Sequence, residues 1–231
     1  MTRTDPRVAE TLRWLERKGT KANRDGMARY GIVAQKVFGV SMTAMKALAR
    51  KLGRDHELAL ALWDTEWYEA RILTSFVDEP TRVTAAQMDR WARDFDNWAI
   101  CDSICFHLFD KTPHAWRKIE QWSRRKEEFV KRASFALLAA VALHDKKAPD
   151  APFIASLDLV RKAADDERNF VKKGVRWALR GIAHRNGYLH SASLELANQL
   201  AESSDRTERW IGKDVIRDIT RPVILRRVSG S

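Results

Sequence analysis

Apolar positions recur along this chain with the spacing of amphipathic helices, and no stretch alternates with period two for long enough to predict a strand. Residues that favour helix N-caps precede the periodic segments, at Ser41, Asp55, Thr84, Asp150, Asp166 and Asp205. The pattern therefore predicts an all-α protein, with no sheet, built from short to medium helices.

One predicted helix, over Asn97–Asp110, combines an apolar side with two residues of possible chemical interest. At 100° per residue, one side carries Ile100, Cys101, Ile104, Cys105 and Leu108. Trp98 and Asp102 lie at the margin of that side, one turn apart. The pair could be a surface aspartate beside a packing tryptophan. It could also hold a negative charge and a π-face against a developing cation.

A helical segment repeats within the second half of the chain. FVKRASFALLAAVALHDK from Phe129 and FVKKGVRWALRGIAHRNG from Phe170 align without gaps, and a fainter copy begins at Trp210. A helical unit of about forty residues is typical of HEAT-like solenoids, whose units bury their apolar faces against their neighbours. We therefore predict a curved α-solenoid forming a single domain over residues 1–231, with a frayed basic tail from about residue 221.

Composition narrows the possible partners and chemistries. The net charge of +11 and pI of about 9.9 favour nucleic acid, an acidic membrane surface or an acidic protein. Cys101 and Cys105 are expected to be buried free thiols in a reducing cytosol, and we expect neither a signal peptide nor a membrane span. The chain has no GxxxxGK[ST], HExxH or GxSxG motif and no Cys/His pair at metal-ligand spacing. We therefore expect no cofactor and no metal.

A basic stripe is predicted in register across successive repeats. On the helix expected from about Asp166 to His184, an arc of about 60° carries Lys173, Trp177, Arg180 and His184. Arg132 has the phase of Lys173 in the preceding repeat, and the following repeat carries Arg206, Arg209, Lys213 and Arg217. Such a face can be merely solvated. Its register and the indole among its cations favour nucleic acid, with phosphates held by arginine and lysine.

Several of these motifs together resemble the AlkD family of DNA alkylation repair glycosylases. The resemblance rests on Trp98–x3–Asp102, then Phe129–Arg132, then Lys173–Arg180, and upstream on Met27–Tyr30 followed by Gly39–Leu48. It runs over roughly Asn23–Thr220 and implies a HEAT-like solenoid. It also implies removal of cationic N3- and N7-alkylated purines from double-stranded DNA without flipping the base into a pocket, unlike the usual glycosylase scheme.

The resemblance also implies roles for individual residues. Asp102 corresponds to the catalytic carboxylate, Trp98 and Trp177 to the tryptophans that flank the deoxyribose, and Arg132 and Tyr30 complete the site. Arg29 joins the stripe residues among the expected DNA-binding cations. The family member used for comparison has two adjacent tryptophans and an acidic residue where this chain has Asn97-Trp98-Ala99, a departure that bears on substrate range.

The chemistry of such a reaction suits these residue types. A cationic alkylpurine leaves without a general acid, so a fixed carboxylate need only stabilise an oxocarbenium-like sugar and orient a water. We expect a monomeric, bacterial-type cytoplasmic enzyme, associated with the nucleoid through DNA. Asp102 and Trp177 are expected to open onto one positively charged hollow. Two other hypotheses stay open: a non-catalytic HEAT-like module for damaged or branched DNA, and a scaffold whose basic face binds an acidic protein.

Overall fold

The computed structural model describes residues 5–230, and in this range the chain forms fourteen α-helices and no strand. The predicted all-α class is confirmed. The outermost residues of the predicted domain, 1–4 and 231, lie outside the described range. The helices are α1 Pro6–Lys18, α2 Lys21–Arg29, α3 Met42–Leu52, α4 His56–Trp63, α5 Tyr68–Val77, α6 Ala85–Arg93, α7 Trp98–His107, α8 Ala115–Ser123, α9 Glu128–His144, α10 Asp150–Lys162, α11 Asn169–Ala183, α12 Gly187–Ala201, α13 Arg206–Ile219 and α14 Pro222–Ser229.

Four of the six predicted N-caps are confirmed. In each, the side-chain oxygen accepts a hydrogen bond from a backbone N–H of the first turn and so satisfies a donor that has no partner within the helix. These caps are Ser41, Asp55, Thr84 and Asp205.

Two predicted caps are wrong. Asp150 is the first residue of α10, and Asp166 precedes α11, which begins only at Asn169. The Asp166 carboxylate instead accepts hydrogen bonds from Lys131 and Arg168, with Nζ of Lys131 at 2.9 Å. Burial raises the pKa of Asp166, but the hydrogen bonds from Arg168 and Lys131 outweigh burial and lower it to about 2. Two cations therefore hold this side chain away from the helix start.

The helix predicted over Asn97–Asp110 ends earlier than expected, at His107. Leu108 leaves helical geometry with φ −132° and ψ −61°, and a 3₁₀ turn over Phe109–Lys111 follows. The predicted apolar side is nevertheless buried, and its two cysteines are free thiols. Burial raises the pKa of the Cys105 thiol well above its usual range, so this group is an inert core residue.

The chain divides between Pro113 and His114 into two compact units. The single repeat domain stays a prediction. In the first unit, α3, α5 and α7 are neighbours in that order, and α4 packs against α5. Each contact pairs helices that are close in sequence, as expected for stacked helical repeats.

A buried carboxylate organises the loop between α2 and α3. Glu69 on α5 has no exposed surface, and its oxygens accept hydrogen bonds from the backbone N–H groups of Phe38, Gly39 and Val40 at 3.0, 2.6 and 3.1 Å. Gly39 adopts φ +83°, and a Cβ there would lie 2.4 Å from the Thr20 carbonyl. Only glycine fits this close approach without strain.

The second unit consists of two layers of helices. One layer contains α9, α11 and α13 in that order, and α8, α10 and α12 each pack on a member of it. The repeat predicted from Phe129 and Phe170 corresponds to α9 and α11, whose two phenylalanine rings lie 5.3 Å apart. Gly212 lets α13 approach α12, since a Cβ there would lie 2.4 Å from the backbone nitrogen of Ala201.

The basic tail is helical, contrary to the prediction that it frays. Pro222 begins α14, where a missing N–H costs nothing, and Ile224 and Val228 are buried four residues apart on one side. This apolar pair packs α14 against α12 and α13, which keeps the segment ordered. None of the helices described here is both long and apolar enough to cross a bilayer.

Candidate functional site

The N-terminus of α7 positions Trp98 in the first unit. The Asn97 side chain caps the helix by accepting hydrogen bonds from the N–H groups of Ala99 and Ile100 at 3.0 and 3.1 Å. Trp98, the first helical residue, is half-buried, and its indole N–H donates to the carbonyl oxygen of Tyr30 at 3.0 Å. The helix cap therefore fixes the backbone at Trp98, and a backbone acceptor at the C-terminal end of α2 holds its ring.

Asp102 lies one turn further along α7 and is half-buried, as is Trp98. The two side chains therefore lie near the same side of the helix, as the sequence predicted. The charge of Asp102 also acts on the core, because it contributes, after burial and Cys101, to raising the pKa of Cys105. A carboxylate at this border is only partly screened by water, so it interacts more strongly with a nearby cation than an exposed one does.

Tyr30 and Arg29 lie at the C-terminal end of α2, and both side chains are exposed. The contact that joins Tyr30 to Trp98 uses the backbone carbonyl, so the phenol ring, 74% exposed, is not needed for it. In the sequence, only a family resemblance groups Tyr30 with Trp98. The structure joins them by a hydrogen bond across 68 residues of sequence.

Arg132, expected on the surface in phase with Lys173, is instead buried in the second unit, with 6% of its surface exposed. Its guanidinium donates to the Phe170 carbonyl at 2.7 Å, across the packed helices α9 and α11. Lys173 is exposed. The shared phase was misleading because α11 covers the part of α9 that bears Arg132, whereas Lys173 points away from that contact.

Trp177 lies on α11 and is half-buried, consistent with its predicted position outside the apolar side of this helix. The buried side of α11 includes Val171, Val175 and Leu179, as the helical period predicts. Trp177 is thus neither sealed in the core nor fully solvated.

Two of the predicted stripe cations, Arg180 and His184, share an acidic partner on α13. Asp218 accepts a hydrogen bond from Nε of Arg180 at 2.8 Å, and Nε2 of His184 lies 3.1 Å from the same carboxylate oxygen. Burial lowers the pKa of His184, an effect that Asp218 opposes and that the charges of Arg227 and Arg180 reinforce. His184 is therefore predominantly neutral at pH 7, and the stripe is not uniformly cationic.

The stripe on α13 is also mixed. Arg209 donates to the carbonyls of Ser203 and Ser204 at 2.7 and 2.6 Å, and so closes the end of α12. Arg217 pairs with an aspartate one turn earlier. The exposed cations of the stripe are Arg206, Lys213 and Arg217 on α13, together with Lys173 on α11.

The acidic partners that join the repeats were not predicted from the sequence. Arg176 pairs with Asp214 at 3.0 Å, and Arg180 pairs with Asp218 in the same way, each across 38 residues. The signal was present as aspartates at i and i+4 on α13 and arginines at i and i+4 on α11. A second feature, Trp210 flanked by Lys172 and Arg176 at 5.5 and 5.4 Å from its ring centre, was also overlooked.

No group of three or more His, Cys, Asp or Glu side chains suited to a metal ion occurs among residues 5–230.

Comparison with known proteins places this fold in the class of HEAT-like repeat proteins. A solved structure superposes with a TM-score of 0.76 and 19% identity, covering 91% of this chain and 94% of the other. That structure is described as "a new family of proteins related to the HEAT-like repeat DNA glycosylases with affinity for branched DNA structures". The chain itself belongs to the DNA alkylation repair enzyme family, which matches residues 11–217. No curated protein matches the sequence.

Proposed function

We propose that this protein is a DNA glycosylase that hydrolyses the N-glycosidic bond of cationic N3- and N7-alkylated purines in double-stranded DNA. Asp102 is the stabilising carboxylate, and Trp98 and Trp177 are the aromatic residues that flank the sugar. The observation that carries the proposal is the fixed indole of Trp98, 3.0 Å from the Tyr30 carbonyl and one helical turn from half-buried Asp102. Family membership over residues 11–217 supports the reaction class.

The reaction needs little from the protein beyond charge and position. The bond from C1′ to the purine nitrogen breaks, and its electron pair stays with the base, which leaves as a neutral molecule. The sugar becomes positive at C1′ and its ring oxygen, and a water molecule adds to C1′ and loses a proton. A carboxylate at the edge of the core stabilises that positive charge and orients the water.

The aromatic residues act on the same developing charge. A desolvated ring adjacent to a cation contributes about 1–2 kcal/mol of cation–π attraction. We assign this role to Trp98 and Trp177, both half-buried and so able to present part of the indole to a ligand. Arg132, assigned by resemblance to a phosphate near the lesion, acts from a buried position in which Phe170 already accepts one of its N–H groups.

The proposed DNA interface uses the exposed cations. Arg29, Lys173, Arg206, Lys213 and Arg217 are exposed and reach phosphates without desolvation of a core residue. Arg180 and His184 take part only by exchanging their Asp218 partner for a phosphate, whereas Arg209 is committed to backbone carbonyls. The net charge of +11 favours a polyanionic partner.

A second candidate function is non-catalytic binding of branched DNA. It is supported by the structural neighbour, which is described as having affinity for branched DNA structures. Both candidates require salt-dependent DNA binding, and only the glycosylase requires release of a free base.

The deciding experiment measures release of 7-methylguanine from methylated duplex DNA in single turnovers with excess protein. We expect release by the wild type and a loss of about a hundred- to a thousandfold in rate for Asp102→Asn, the range for removing one preorganised electrostatic group. Asp64→Asn is the matched control, because Asp64 is an exposed carboxylate of the same unit that pairs with Arg90.

Each result selects one function. Equal release by wild type and Asp102→Asn would remove Asp102 from its role. No release by the wild type, combined with tight binding to four-way junctions, would favour the branched-DNA module.

A further inference from the structure

A cleft of about 370 Å³ in the first unit has a cationic wall. It is lined by residues of α3, the turn that follows it and α5: Lys46, Ala49, Arg50, Gly53, Arg54 and Phe76. Three of these six residues are cations, and all three are exposed. No carboxylate lines the wall as described. A concave surface with charges of one sign concentrates its electrostatic field and attracts an anion.

Helix stability alone does not account for this cluster. Lys46 and Arg50 are like charges at i and i+4 on α3, a pairing that destabilises a helix slightly. Within residues 5–230 neither side chain makes an ion pair that would offset this repulsion. Arg50, in the last turn, does interact favourably with the helix dipole. That effect explains neither Lys46, a turn earlier, nor Arg54, beyond the helix end.

Two contacts hold the cationic groups around the cleft. The Arg54 guanidinium donates to the backbone carbonyl of Asp78, which fixes its position while leaving other N–H groups available. Nζ of Lys46 lies 5.7 Å from the centre of the Phe76 ring, within cation–π range. The Phe76 ring in turn lies 4.6 Å from the ring of His107, at the end of α7.

These contacts connect the cleft to the helix that carries the candidate site. Asp102 and His107 are five residues apart on α7, about 7.5 Å along the helix axis. Through Phe76 the cleft therefore adjoins the C-terminal end of α7, the helix that carries Trp98 and Asp102.

We propose that the cleft formed by Lys46, Arg50, Arg54 and Phe76 binds phosphodiester groups of double-stranded DNA, outside the set of cations identified from the sequence. The identity of the polyanion rests on the proposed function. The anion-binding chemistry rests on the cleft itself. Lys46 and Arg50 contact phosphate oxygens directly, Arg54 adds a fixed positive charge, and Phe76 forms an apolar floor that keeps Lys46 in place.

The test is fluorescence anisotropy with an unmodified duplex over a range of salt concentrations, comparing wild type with Lys46→Ala/Arg50→Ala. Losing two phosphate contacts should reduce the slope of log K against log salt by about 1.8 and weaken binding about sixtyfold at ~100 mM salt, taking equal affinities at ~1 M salt. The matched control is Lys18→Ala/Lys51→Ala, which removes two exposed cations of the same unit outside the cleft. Lys46→Arg/Arg50→Lys should retain the slope because the charges persist.

Three outcomes would overturn the proposal. The first is a slope and affinity of the double variant equal to those of the wild type. The second is an equal loss in the control pair, which would reduce the effect to net charge. The third is binding of inorganic phosphate by wild type, but not by Lys46→Ala/Arg50→Ala, together with unchanged DNA binding. That result would assign the cleft to a free anion.

The experiment is independent of catalysis, because it uses unmodified DNA. If the wild type releases no alkylated base but the double variant shows the reduced slope of log K against log salt, the cleft assignment stands and the glycosylase proposal fails. If base release is normal and the slope is unchanged, the glycosylase proposal stands and the cleft assignment fails.

Discussion

Replacing Trp98 by phenylalanine separates the two contributions of this side chain. The substitution keeps an aromatic face but removes the indole N–H that donates to the Tyr30 carbonyl at 3.0 Å. Tyr30→Phe is the complementary change, because it removes the phenol oxygen and leaves the backbone acceptor in place. We therefore expect Trp98→Phe to loosen the ring and Tyr30→Phe to leave it anchored.

The magnitude follows from the contact. A hydrogen bond of this kind contributes about 0.5–1.5 kcal/mol to stability, so Tm should fall by about 1–6 °C in a protein of this size. The slowing of base release should be larger than the bond alone implies. The smaller ring also loses part of the cation–π attraction of about 1–2 kcal/mol. Together the two losses predict base release about ten- to a hundredfold slower at 25 °C.

The assay is single-turnover release of 7-methylguanine, with the melting temperature measured on the same samples. Trp63→Phe provides the control, because Trp63 is fully buried and its indole N–H also donates, to Asp94 at 2.8 Å. It should lose stability through the hydrogen bond and a cavity while keeping its rate per folded molecule. A Trp98→Phe rate equal to that of wild type, or an equal fall in Trp63→Phe, would refute the assigned role of the anchored indole.

Three further predictions concern stability and are checked by thermal and denaturant unfolding. Gly212→Ala should lower the free energy of unfolding by about 1–3 kcal/mol, since its Cβ would overlap backbone atoms of α12. Gly26→Ala on α2, whose Cβ would meet no atom within 4 Å, should be tolerated; equal Tm values for the two variants would contradict this. Glu69→Gln should lower the free energy of unfolding by about 1.5–3 kcal/mol, because a charged acceptor of three N–H groups is replaced by a neutral one. The backbone amides of residues 38–40 should then exchange their hydrogens faster. Because the pKa of His184 is lowered in the folded state, the unfolded chain takes up the proton at a higher pH, so stability should fall as pH drops below about 6.5. His184→Gln should therefore flatten the pH dependence of Tm between pH 7.5 and 5.5. An unchanged dependence would exclude this histidine as its source.

Local features of the sequence were enough to predict much of the fold. The helical class, four N-caps and the apolar side of α7 follow from interactions between residues no more than four positions apart, and these depend little on the rest of the molecule. The repeat at Phe129 and Phe170 was also visible, because stacked units bury equivalent positions and so keep equivalent residues. The motif order around Trp98 and Asp102 indicated DNA alkylation repair, the family that matches residues 11–217.

Only the tertiary structure decided which cations have partners. Arg132 and Lys173 share a helical phase, yet one is buried against the Phe170 carbonyl and the other is exposed. Asp218 pairs with Arg180 across 38 residues, and the carbonyl of Tyr30 accepts from Trp98 across 68. Helical periodicity determines which residues share a side of one helix, but not which neighbouring helix covers that side. Burial, ion pairing and the anchoring of Trp98 depend on that packing.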